Sequence, residues 1–72
     1  MFKEELDFFI ENQDALVRQY MGKALVIKGR EIYAVYDTSL DAYLKIKRDE
    51  LLGTVMIQMC LPGPEAYTTW IS

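Results

Sequence analysis

The sequence predicts an α+β domain in two layers, with two helices on one face of a small, mainly antiparallel, four-stranded sheet, in the order α-β-β-α-β-β. Three observations carry that expectation. Apolar residues near the start recur every three or four positions, as on one face of a helix. Two β-branched and aromatic runs then flank a connection containing Gly29, as in a hairpin. Two further runs near the end are separated by Pro62-Gly63-Pro64-Glu65, which must turn.

Phe2, Leu6, Phe9, Ile10, Leu16, Val17 and Tyr20 place one apolar stripe on a helix from about Lys3 to Gln19, and Gly22 follows as an αL stop. Gln13 falls inside the stripe, where a buried amide would need a partner. Its neighbours Asn12 and Asp14 point instead to a locally solvated turn. Ala24-Leu25-Val26-Ile27 and Ile32-Tyr33-Ala34-Val35-Tyr36 form the hairpin across Lys28-Gly29-Arg30-Glu31.

Thr38, with Asp41 three residues on, fits an N-capping box. It opens a second helix through Leu40, Tyr43, Leu44 and Lys47 toward Leu51, closed by Gly53. Val55 to Leu61 is apolar at nearly every position, which suits a strand covered on both faces and places it at the centre of the sheet. Tyr67-Thr68-Thr69-Trp70-Ile71 reads as the last strand. The spatial order 2-1-3-4 makes all neighbours antiparallel.

Composition bounds what such a domain can do. A chain of 72 residues buries only about 60% of its unfolded surface, so residues 1–72 form one domain with one core. At 51% hydrophobic and 26% charged it has the makings of a globular fold. The net charge of −3 opposes attraction to phosphate backbones and anionic lipid, so neither nucleic acid nor membrane is expected as partner. A single cysteine cannot form an intramolecular disulfide, which fits a reducing compartment and a cytoplasmic location. The acidic start and the lack of a long uncharged stretch give no expectation of a targeting segment or membrane span.

The chemistry of a catalyst is hard to assemble from these residues. There is no histidine, which removes the commonest general base and metal ligand, and no cofactor is expected. Cys60 is a candidate nucleophile, but an apolar strand without a neighbouring cation raises a thiol pKa. Asp37-Thr38-Ser39 is close to the Asp-Thr-Gly signature of aspartic proteases, yet it stands at a helix start, where capping explains it. The glycines are scattered one to a connection and form no phosphate-binding loop. Lys45, Lys47 and Arg48 cluster where cations complement a helix C-terminus. Tyr33 lies near Arg30, as in base-stacking surfaces, but without the motifs of sheet-surface RNA binders.

One resemblance covers most of the chain. The run Phe9-Ile10-Glu11-Asn12-Gln13-Asp14-Ala15-Leu16-Val17, then Tyr20-Met21-Gly22-Lys23, Val26-Ile27-Lys28, Val35-Tyr36-Asp37, Ala42-Tyr43, Leu52-Gly53-Thr54, Ile57-Gln58 and Cys60-Leu61-Pro62-Gly63-Pro64-Glu65-Ala66-Tyr67-Thr68 resembles a bacterial domain-of-unknown-function family of short stand-alone proteins. The resemblance implies no activity and no site residues. Members are often encoded beside a retropepsin-like aspartyl protease, which implies a protein partner or substrate. Gly29-Arg30 departs from the family's more usual Asp-Gly or polar pair at the hairpin turn.

The function expected on these grounds is protein interaction, as a homodimer or bound to another protein. Tyr33, Val35 and Met56 would lie on an uncovered sheet face, and Tyr67 and Trp70 on an open terminal strand. The alternatives are a small enzyme or enzyme subunit using Cys60, Asp37 or Tyr67, and a nucleic-acid-binding domain.

Overall fold

Four consecutive residues, Ala24, Leu25, Val26 and Ile27, have no solvent exposure, and the architecture follows from covering them. In the computed structural model, which describes residues 2–68, the elements are α1 (Lys3–Glu11), α2 (Gln13–Tyr20), β1 (Ala24–Lys28), β2 (Glu31–Tyr36), α3 (Ser39–Arg48), β3 (Met56–Met59) and α4 (Glu65–Thr68). The described strands form a three-stranded sheet in the order β2-β1-β3. Both neighbours run antiparallel to β1.

Side chains alternate across a sheet, so burying four in a row requires cover on both faces. Leu25 and Ile27 join Phe9, Leu16, Met56 and Cys60 under α1 and α2. Ala24 and Val26 join Ala42, Ile46 and Val55 under α3. The helices therefore do not share one face as the sequence suggested: the sheet is the middle of three layers. Small side chains make the second face possible, because Ala24, Ala34 and Ala42 let α3 approach the strands closely.

The sheet also differs in its centre and its size. The apolar run expected at the centre supplies β3, an edge strand whose Ile57 and Met59 are only half-buried. The order 2-1-3 holds, but the fourth strand has no counterpart among the described residues. Tyr67 and Thr68 belong to α4, and Thr69, Trp70 and Ile71 lie outside the described residues. Pro64 starts this short helix: its carbonyl accepts from the Tyr67 and Thr68 amides at 3.1 and 3.0 Å and from Thr68 Oγ1 at 2.7 Å. Its lack of an N–H costs nothing there.

The first helix breaks in two at Asn12. Its φ of −114° and ψ of 13° leave the helical region, and its Nδ2 donates back to the Phe8 carbonyl at 2.9 Å. A short polar side chain competing for backbone in this way stops α1. The hairpin turn is Gly29-Arg30, with φ of +63° at the glycine and no positive φ at Arg30. That is the II′ pattern, in which glycine takes the first central position. Glu5 Oε2 accepts from the Gly29 amide at 2.8 Å and ties the turn to α1.

Thr38 caps α3 as expected, its Oγ1 accepting from the Asp41 amide at 3.0 Å. The helix ends sooner than Gly53, at Arg48, and Glu50 two residues on takes the left-handed stop with a φ of +61°. The Leu51 amide donates to the Ile46 carbonyl at 2.8 Å and the Glu50 amide to Lys47 at 3.1 Å. This is the Schellman arrangement with a glutamate where glycine is preferred. Leu51 packs against the cluster containing Ile46 and completes it.

Two substitutions test the ends of α3 by urea unfolding. Thr38→Ala removes the cap and is expected to lower stability by about 1 kcal/mol. Glu50→Gly relieves roughly 1–2 kcal/mol of left-handed strain and gives back roughly 0.5–1 in chain entropy, so it is expected to raise stability by about 0.5–1 kcal/mol. A midpoint below that of the parent for Glu50→Gly would contradict the assignment.

Candidate interaction surface

The residues expected to form an interface end up in different surroundings. Met56 is buried, and Val35 and Tyr67 pack against the same cluster around Phe9. The Tyr67 ring meets Phe9 edge-on, with centroids 6.4 Å apart and planes at 73°. The structure thus brings three of the five to one core cluster, with Met56 buried in it and Val35 and Tyr67 partly buried against it. Tyr33 is 53% exposed on β2, at the bulge where pairing with β1 shifts register. Trp70 lies outside the described residues.

The candidate reactive groups are also committed. Cys60 is fully buried, and burial pushes its thiol pKa up, which disfavours the nucleophilic thiolate. Its backbone extends the ladder, donating to the Lys23 carbonyl and accepting from the Gly22 amide, both at 2.8 Å. Asp37 is paired with Lys23, whose hydrogen bond and charge hold the carboxyl below its usual range. Arg30 pairs with Glu11 and lies over the Phe8 ring at 5.9 Å from its centroid. It is thereby drawn toward α1 rather than toward Tyr33. Among the described residues no group of three or more His, Cys, Asp or Glu is placed to hold a metal ion, and no helix is long and apolar enough to cross a membrane.

Two glutamines take up structural work. Gln13, expected in a solvated turn, donates Nε2 to the Leu61 and Gly63 carbonyls at 2.8 Å each. Gln58 is buried on β3 and donates to the Ala66 carbonyl at 2.6 Å. Together they fasten the Pro-Gly connection and α4 to the body of the domain.

Of the exposed large apolar residues, three lie on α3. Ala42 and Ile46 face the sheet and are buried, whereas Leu40, Tyr43 and Leu44 are 62, 42 and 52% exposed. Spacings of three and four put these three side chains together on the helix surface. Beside them, between α3 and the edge strand β2, runs an open groove of about 540 Å³ with Val35, Tyr36 and Leu44 in its lining. Asp37 and Asp41 line it near the start of α3, and Lys45 and Arg48 near the end. The signal was present in the sequence as a surplus: Leu40, Ala42, Tyr43, Leu44 and Ile46 are too many apolar residues for one buried stripe on ten residues.

Comparison with protein-family models, with curated proteins and with solved structures finds no match to this chain.

The burial of Cys60 leads to a direct check. At neutral pH without denaturant, a thiol reagent is expected to label it far more slowly than in the unfolded chain, with the rate rising on adding urea. Rapid stoichiometric labelling of the folded protein would overturn this placement of the thiol.

Proposed function

We propose that this domain is a small protein-interaction module that acts through homo- or hetero-oligomerisation. The observation that carries the reading is the exposed trio Leu40, Tyr43 and Leu44 on a helix whose opposite side is already buried against the sheet. Neighbouring large apolar side chains left in water are the usual mark of a surface that another chain covers. The adjoining edge of β2 adds backbone groups that are unpaired among the described residues, which a partner strand satisfies.

Neither alternative has comparable support among the described residues. An enzyme using Cys60, Asp37 or Tyr67 would draw on a buried thiol, an ion-paired carboxylate and a ring packed on Phe9. A nucleic-acid-binding domain would have to overcome a net charge of −3. The heteromeric form of the interaction reading takes the aspartyl protease implied by the family resemblance as its partner.

Leu44→Gln tests the reading, since the side chain is too exposed to matter greatly to the fold. Stability is expected to change by no more than about 0.5 kcal/mol. Association, followed by light scattering of the pure domain and by binding to partners recovered from its host, is expected to weaken by about tenfold or more. Unchanged association in both formats would remove the basis of the proposal.

A further inference from the structure

Resting on the interaction reading, we infer that the occupant of the β2–α3 surface is a second copy of this chain, docked antiparallel about a two-fold axis beside Val35 and Leu44. Of the two edge strands of the described sheet, β2 is the one that runs beside the groove and the exposed side of α3. β2 pairs only with β1 among the described residues. Its outer row of N–H and C=O groups offers a template for another strand.

The register is limited by the bulge. Pairing with β1 shifts between Val26 and Ile27, opposite Tyr33, so the regular part of β2 is Ala34 to Tyr36. A short antiparallel pair centred on Val35 joins the two sheets into one, in the order β3-β1-β2-β2-β1-β3. Val35 and Leu44 line the same groove, so the axis that relates the strands also relates the two α3 helices.

Charge selects a copy over an unrelated chain. Along the groove the carboxylates of Asp37 and Asp41 lie toward the start of α3, and the cations Lys45 and Arg48 toward its end. Antiparallel placement brings Asp41 of each chain to Lys45 and Arg48 of the other, twice over, as an isologous interface requires. Among the described residues the ion pairs of Lys45 and Arg48 are long ones, to Asp49 at 3.8 and 3.7 Å. Leu40, Tyr43 and Leu44 of the two helices then cover each other. Such pairs set register and partner more than affinity.

A charge swap tests this by sedimentation velocity at tens of micromolar. The parent chain is expected to sediment as a dimer that weakens in high salt. Asp41→Lys is expected to raise the dissociation constant by roughly tenfold or more, and so is the double variant Lys45→Glu/Arg48→Glu. Mixing the two variants is expected to restore a one-to-one dimer. A monomeric parent would overturn the inference, as would a dimer indifferent to both swaps or one not restored on mixing. If a monomeric parent still bound a different chain in a manner abolished by Leu44→Gln, the interaction reading would stand while self-association fell.

Discussion

Everything in this fold is arranged around the complete burial of Ala24 to Ile27 on both faces of β1. A strand buried on both sides needs a neighbour at each edge for its backbone and a helical layer over each face for its side chains. The neighbours are β2 and β3. The layers are α1 with α2 on one side and α3 on the other. Full burial of side chains such as Leu25, Val26 and Ile27 is worth roughly 1.5–3 kcal/mol each. The ion pairs, all between exposed or half-exposed groups, are worth about 0–1 kcal/mol apiece. Packing around β1 therefore decides the architecture.

The two layers are unequal, and the candidate surface is a consequence. Two helices with α4 cover the first face, so Phe9 and its neighbours are well enclosed. A single helix of ten residues covers the second. It turns Ala42 and Ile46 fully inward, and Leu40, Tyr43 and Leu44 face solvent beside β2, an edge strand among the described residues. The same chain that fills one side of the sheet thus presents the groove on the other. The far end of the domain is held differently, by the amides of Gln13 and Gln58 bonded to loop carbonyls.

Features governed by local rules were legible in the sequence. Gly29 sits at the position of the hairpin turn that demands positive φ, and Thr38 caps the helix it was expected to cap. Features decided by tertiary competition were not. Val55 to Leu61 and Ala24 to Ile27 are both continuous apolar runs, and composition does not say which is central. A helix between β2 and β3 can cover either face of the sheet, and only the small side chains of Ala24, Ala34 and Ala42 hint at the one it takes. Tyr67 and Thr68 have strand propensity, which Pro64 and the Gln58 amide override. The candidate surface was not legible because Leu40, Tyr43, Leu44 and Lys47 trace the helix without saying which of its sides is buried, and the buried residues are Ala42 and Ile46.

The central proposal is that β2 is the edge strand that pairs with a second copy, and backbone amide hydrogen exchange as a function of protein concentration tests it most directly. Exchange reports the opening of individual amides, and a strand added to an edge protects those it bonds. Protection within Ala34 to Tyr36 is predicted to rise with concentration, while that of Met56 to Met59 on the opposite edge stays constant. Protection independent of concentration in β2, or a rise confined to β3, would contradict the account.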